Sequence, residues 1–170
     1  MAKTVEIKQV DALIFDFDGV LTDNRVILNQ QGVESVVCNR ADGLAFDALR
    51  RLGVPTYIIS TETIPLALMR GEKLNVPVLH GIKNKTETLL KLVEDNNYSL
   101  DKILYVGNDL NDFYVMDICG IRVCPADSHG EIKAISDIVL KKNGGEGVAR
   151  EVIEVVLGIS IKETLYNNEN

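Results

Sequence analysis

The chain has no apolar run long enough to cross a bilayer, and its first residues, Met1 to Glu6, carry no signal-peptide pattern. A membrane protein is therefore not expected, and a cytoplasmic location is. Cysteine is scarce and odd in number. Cys38, Cys119 and Cys124 match no metal-ligand spacing, which favours reduced thiols over a disulfide framework. Only two histidines occur, His80 and His129, and they do not form a usable catalytic pair in the sequence. A basic excess is also missing: the formal charge is −7, so a nucleic-acid partner is not expected. An acidic chain can still take an anionic substrate where a divalent cation and a few local Lys or Arg groups reverse the field. There is no internal repeat and no low-complexity segment.

What is present is an ordinary globular composition over 170 residues, 46% hydrophobic and 25% charged, enough for one sizeable core. Apolar runs at 12–15, 54–59, 76–79, 103–106, 121–124 and 138–140 read as strands. Helical patterns near 42–52, 63–75, 84–96, 110–118, 129–136 and 146–157 alternate with them. That alternation predicts an α/β fold, a Rossmann-like parallel sheet with helices on both faces. Residues 1–160 form one expected domain, with a flexible tail at 161–170. One interruption stands out. Two short β-type runs, 25–28 and 33–37, flank Asn29-Gln30-Gln31-Gly32, predicting a small β-hairpin over 25–37 after the first strand. The 37 residues between Thr22 and Ser60 and the 24 between Ser60 and Lys85 must also supply sheet and helix, so no cap domain fits.

The chemistry is concentrated at strand ends. Asp16-Phe17-Asp18-Gly19-Val20-Leu21-Thr22 puts two carboxylates at the carboxyl end of a buried strand, where open α/β sheets bind ligands. One carboxylate can attack phosphorus while the other handles the proton; Gly19 allows the turn and Thr22 adds a hydroxyl. Ser60-Thr61-Glu62 follows the strand 54–59, and its hydroxyls can take phosphate oxygens, although Ser60 taken alone reads as a helix N-cap. Lys85 enters a helix after the strand 76–79 and can neutralise phosphoryl charge, with Lys83 as competitor. Gly107-Asn108-Asp109-Leu110-Asn111-Asp112 offers hard oxygen ligands suited to Mg²⁺, or an Asx-rich turn that caps a helix. The order of all four segments, each at a strand's end, outweighs the local alternatives.

Asp16-x-Asp18-Gly-x-x-Thr22, Ser60, Lys85 and Gly107-Asn108-Asp109-x-x-Asp112 together resemble the haloacid dehalogenase superfamily of phosphotransferases. The similarity runs from about residue 10 to 158, through Asp42-Gly43 and the segment 144–151. It is greatest to the capless sugar-acid phosphatases, the branch of 3-deoxy-octulosonate 8-phosphate and nonulosonate 9-phosphate phosphatases and of the carboxyl-terminal domain of some sialate cytidylyltransferases. The resemblance implies Asp16 as nucleophile, Asp18 as general acid then base, and phosphate held by Ser60, Thr61 and Lys85. It implies Mg²⁺ on Asp16 and Asp18, completed from Asn108, Asp109 and Asp112. Asn108 is a departure, since the family usually has an aspartate there, which would hold the metal more firmly. Domains with damaged metal sites exist in this branch, so a catalytically weak assembly module is the alternative class.

For the substrate, a small phosphorylated sugar acid, the implied contacts are Thr22, Asp42, Glu62, Arg70 and Lys73. Thr61-Glu62 and Ala41 stand where eight-carbon enzymes carry Gly-Arg and Arg, so the resemblance leans to a nine-carbon sugar acid. Arg70 and Lys73 share a helix face and can meet a carboxylate, or form a solvated face with Glu72. The hairpin would pack in a homotetramer and help close a neighbour's site. Arg150 would contribute near that site, or would pair with Glu146 or Glu151.

Overall fold

The computed structural model describes residues 4–167. Among the described residues eight strands are formed: β1 (Ala12–Asp16), β2 (Ile27–Leu28), β3 (Glu34–Ser35), β4 (Thr56–Ile59), β5 (Val78–Leu79), β6 (Ile103–Val106), β7 (Ile121–Cys124) and β8 (Ile138–Val139). Six make one sheet in the order β5-β4-β1-β6-β7-β8, every pairing parallel. Parallel strands need crossovers, and these are α1 (Ala41–Arg51), α2 (Leu66–Leu74), α3 (Lys85–Asn96), α4 (Phe113–Asp117) and α5 (Gly130–Ile135), followed by α6 (Val148–Glu151) and α7 (Ile161–Tyr166).

The sheet is covered on both faces, which is why β1 is buried at every residue. Leu13 and Phe15 point into a core with Phe46 and Leu49 of α1 and Val148 and Ala149 of α6. Ala12 and Ile14 point into a second core with Leu89 of α3, Val115 and Met116 of α4, and Ile132 of α5. Phe15 meets Phe46 edge to face at 5.3 Å. From β1 the chain builds outward through β4 and β5, then returns to add β6, β7 and β8 on the other side. The order of winding therefore reverses beside β1, and the crevice at the carboxyl ends of β1 and β6 is the ligand position of such sheets.

Several element bounds differ from the periodicity. β4 and β5 begin only after Pro55 and Pro77, because a proline has no N–H to give a ladder. The 63–75 pattern becomes helical at Leu66, with Pro65 at its start and the preceding loop left for the site. The 110–118 pattern divides into a 3₁₀ turn, Leu110–Asp112, and α4. The 146–157 pattern divides into α6 and a π-helical turn, Val152–Val156. The tail expected from residue 161 instead forms α7: Ser160 caps it, Ile161 is buried, and Arg51 donates to the Leu165 carbonyl at 2.7 Å. Residues 168–170 of that expected tail lie outside the described residues.

The hairpin is present as β2 antiparallel to β3. Its loop is held by Asn29, whose Oδ1 accepts from the amides of Gln31 and Val33 at 3.0 and 2.9 Å. No helix among the described residues is long and apolar enough to cross a membrane.

Candidate active site

Asp16 ends β1 and is paired in register with Ile59, so Asp16 and Ser60 leave the sheet side by side. Phe15 is in register with Val106, which brings the 107–112 loop to the other flank. Lys85 arrives from β5 as the first residue of α3, whose N-cap Asn84 accepts from the amides of Thr86 and Glu87. Four segments distant in sequence thus meet at one sheet edge.

The centre is a buried ionic cluster. Lys85 Nζ donates to Asp16 Oδ1 at 2.8 Å and to Asp112 Oδ1 at 2.7 Å. Tyr105 Oη donates to Asp112 Oδ1 at 2.9 Å, and the Asn108 amide donates to Asp112 Oδ2 at 3.0 Å. Burial works against the Lys85 charge, yet the two carboxylates more than offset it and its pKa stands above the ordinary lysine value. One ammonium shared by two carboxylates leaves an excess negative charge. Burial first, and then the Asp112 charge, push Asp16 up to about 7 against the pull of Lys85. Burial and Asp112 likewise raise Tyr105 far above the ordinary tyrosine range, keeping it a neutral donor.

Asp18 sits at the mouth, partly exposed. Desolvation and then the nearby Glu62 raise its pKa, which favours the protonated form a general acid needs. The turn beneath it is closed by Thr22, whose Oγ1 accepts from the Gly19 amide at 3.1 Å and donates to Asp18 Oδ1 at 3.5 Å. Gly19 has φ of +81° and lies against Asn108; a Cβ there would fall 1.9 Å from Asn108 Nδ2. A cavity of about 360 Å³ opens over this turn, walled by Asp16, Asp18, Asn24, Thr61, Glu62, Asn108, Asp109, Leu110 and Asn111. Beside it, a recess of about 160 Å³ runs between Asp18, Glu62 and the hairpin residues Val26, Glu34 and Val36.

Asp16, Asp18, Thr61, Glu62, Asn108 and Asp109 therefore share one cavity, with Lys85 and Asp112 directly behind Asp16. Ser60 is buried at the end of β4, its Oγ accepting from the Glu62 amide at 3.2 Å. Other expected contacts fall elsewhere. Thr22 is fully buried and works inside the turn. Asp42 is 1% exposed and accepts from the Arg150 amide at 3.3 Å, away from the cavity. Arg70 donates to the Asn39 carbonyl at 2.8 Å, since a half-buried guanidinium satisfies the chain end that enters α1. Lys73 is exposed and does not line the cavity. Arg150 pairs with Glu154 at 3.1 Å, one helical turn on, rather than with Glu146 or Glu151.

Sequence reasoning missed Tyr105 and Asn24. Tyr105 had a signal: a tyrosine in a fully buried strand needs a partner for its hydroxyl, and Gly-Asn-Asp begins two residues later. Asn24, at φ of +63°, carried none.

The donor set fits a hard divalent cation. Among the described residues no three His, Cys, Asp or Glu side chains converge on one point. Both Asp112 oxygens are already engaged, and Asp109 Oδ1 accepts from the Leu110 amide. Asn108 Oδ1, however, is buried and has no hydrogen-bond partner, beside a cluster with surplus negative charge. An orphaned oxygen and an uncompensated carboxylate are what a bound cation would satisfy.

The fold and this cluster define a phosphoryl-transfer hydrolase, and comparison with known proteins agrees. The sequence profile of the haloacid dehalogenase-like hydrolases matches residues 58–152. The 3-deoxy-D-manno-octulosonate 8-phosphate phosphatase of Escherichia coli (strain B / BL21-DE3) is 32% identical over 158 residues, covering 92% of this chain and 82% of that protein. A chain from Streptomyces avermitilis named for the same hydrolase family superposes with a TM-score of 0.90 at 37% identity, covering 94% of this chain and 92% of that one. The 3-deoxy-D-manno-octulosonate 8-phosphate phosphatase of Moraxella catarrhalis, solved with magnesium, phosphate and KDO, superposes with a TM-score of 0.87 at 26% identity, covering 96% and 94%. The chain belongs to the haloacid dehalogenase-like hydrolases, in the capless branch. It is a phosphoric monoester hydrolase, and its cofactor is Mg²⁺.

Proposed function

We propose that the substrate is a phosphorylated 2-keto-3-deoxy sugar acid, cleaved through an aspartyl phosphate on Asp16. The observation that carries this is the Asp16–Lys85–Asp112 cluster at the floor of a cavity whose rim holds Asp18. An Asp16 oxygen attacks phosphorus as the ester P–O bond breaks, and Asp18 gives its proton to the departing sugar alkoxide. Asp18, now a carboxylate, takes a proton from water as the water oxygen attacks the aspartyl phosphate. Inorganic phosphate leaves and Asp16 is regenerated. Lys85 orients Asp16 and balances part of the charge on the transferring group, and Ser60 and Thr61 offer hydroxyls to its oxygens. Mg²⁺ would be held by the Asp16 carboxylate, the Asp18 carbonyl and Asn108 Oδ1, and supplies neutralisation of phosphoryl charge.

The names of the curated relatives favour the eight-carbon 8-phosphate. A second reading, the nine-carbon 9-phosphate, is supported by Glu62, which lines the cavity where it can accept from hydroxyls. The positions of Arg70 and Lys73 lend that reading nothing. We also place the enzyme in the cytoplasm as a homotetramer, on the resemblance and on the exposed hairpin. Phosphate release from eight- and nine-carbon esters, with and without Mg²⁺, tests the function. Turnover is expected only with the cation, and Asp16→Asn should abolish it; full activity in that variant would refute the mechanism. Release from neither ester, with Mg²⁺ present, would favour the assembly module instead.

A further inference from the structure

Asp42 is a buried carboxylate for which the reaction above has no use. Its Oδ1 accepts from the Arg150 amide at 3.3 Å, the Ala149 amide also points at it, and its Oδ2 is buried without a partner. Burial pushes its pKa up to about 6 despite those amides and the Arg70 charge.

The segment that Asp42 grips leads back to the catalytic turn. Residues 141–150 cross behind that turn as a strap whose amides are taken up largely by carboxylates. Glu151 accepts from Lys141 and Lys142 at 2.9 and 2.8 Å, and Asp127 accepts from Gly144 at 2.9 Å. The strap is pressed against the backbone of the Asp18–Thr22 turn. A Cβ on Gly144 would lie 2.1 Å from the Gly19 carbonyl oxygen, and one on Gly145 would lie 2.6 Å from the Asp23 amide. The Gly145 amide donates to the Val20 carbonyl at 3.0 Å. Such an approach allows no side chain and leaves no slack, so a shift at one end of the strap moves the other.

We propose that Asp42 is a positioning residue for the reaction: by holding the Ala149 and Arg150 amides it keeps the Gly144–Gly145 strap against the turn that aims Asp18, and it touches no substrate. The proposal rests on the phosphatase reading. It accounts for Asp42 lying outside the cavity while its carboxylate is kept in the interior. A neutral residue with an acceptor oxygen in the same place would serve the strap nearly as well, whereas a methyl group would not.

Asp42→Ala and Asp42→Asn in the full chain separate the roles. With Mg²⁺, both p-nitrophenyl phosphate and 3-deoxy-octulosonate 8-phosphate are assayed, and hydrogen exchange is followed without any ester. Asp42→Ala should lower kcat about tenfold on both esters with KM little changed, since small misplacement of a proton donor is costly. Asp42→Asn should recover most of that loss. Amides at 19–23 and 143–150 should exchange faster in Asp42→Ala and near the native rate in Asp42→Asn. A loss confined to the sugar ester and carried by KM would overturn the proposal, because Asp42 would then contact substrate. Unchanged exchange at 19–23 would overturn it too. If the unmodified protein cleaves neither ester, the phosphatase reading fails, and the exchange result alone decides whether Asp42 holds the turn.

Discussion

The carboxyl end of the sheet and the hairpin are neighbours built on opposite principles. At the sheet end, Asp16, Lys85, Asp112 and Tyr105 are all buried and tied by hydrogen bonds of 2.7–2.9 Å. In the hairpin, apolar side chains are spread into solvent: Ile27 is 61% and Leu28 65% exposed, held by a two-residue ladder. The chain thus keeps its ionic cluster within its own core but leaves one wall of the neighbouring recess on a limb that buries little. The buried charged groups are over-determined, and the exposed limb is not.

The firmest way to break that comparison is at Lys85. Lys85→Met leaves Asp16 and Asp112 facing each other without their ammonium. Loss of one partner from a buried ionic group costs roughly 3–5 kcal/mol. The expected outcome is a large drop in chemical-denaturation midpoint with no measurable phosphate release. A variant that keeps its stability would show that the cluster is not the rigid floor described above.

Asp42 tests the same interior with the opposite sign. Its folded pKa of about 6 lies above the ordinary aspartate value, so between about pH 4 and pH 6 the folded chain holds a proton that the unfolded chain releases. That contribution is present at low pH and is lost as pH rises through 6. Above pH 6 the ionised group burdens the fold, and Asp42→Asn should be the more stable protein by up to about 3 kcal/mol. Near pH 4 the two should converge. Melting curves across pH 4–8 check this, and a gap that widens toward acid would contradict it.

A smaller effect is expected at Tyr105. Tyr105→Phe removes one donor to Asp112, which keeps Lys85 and the Asn108 amide. The cost should be about 1–2 kcal/mol with a few-fold fall in kcat. A loss as large as that of Lys85→Met would mean that the hydroxyl, and not the ammonium, holds Asp112 in place.

How far the sequence reached follows the same division. Strands at 103–106 and 121–124 were legible to the residue: the first is an unbroken apolar run buried throughout, the second is apolar but for the half-buried Arg122, and Gly107 and Pro125 end them. The clustering of Asp16, Ser60, Lys85 and the 107–112 loop was legible from topology, since parallel crossovers bring every carboxyl end to one edge. The fates of Asp42 and Arg70 were not. Each is decided by a contact across the fold, with residue 150 for Asp42 and residue 39 for Arg70, and a charge on a helix gives no sign of whether it meets substrate or backbone. The split of 110–118 into a 3₁₀ turn and α4 was hidden for a related reason. Asp112 is pulled inward to Lys85 and the Asn108 amide, which tightens the turn regardless of helical periodicity.

The gentlest perturbation bears on the exposed limb. Ile27→Lys with Leu28→Lys changes two side chains that are mostly in water already, so the stability of the isolated chain should move by no more than about 0.5 kcal/mol. Val26, Ile27, Leu28, Val33 and Val37 are all more than half exposed on this one limb, and a contiguous apolar surface is what a contact with another molecule would use. If the hairpin packs against other copies, the double substitution should shift sedimentation velocity from an assembled species to a monomer. Cleavage of p-nitrophenyl phosphate should then survive, since Asp16, Asp18 and Lys85 all belong to one chain, while KM for the sugar ester rises if a neighbouring copy completes the recess that Val26, Glu34 and Val36 line. Equal losses on both esters would tie the chemistry itself to the hairpin side, and the contrast between a rigid floor and a loosely held wall would fail.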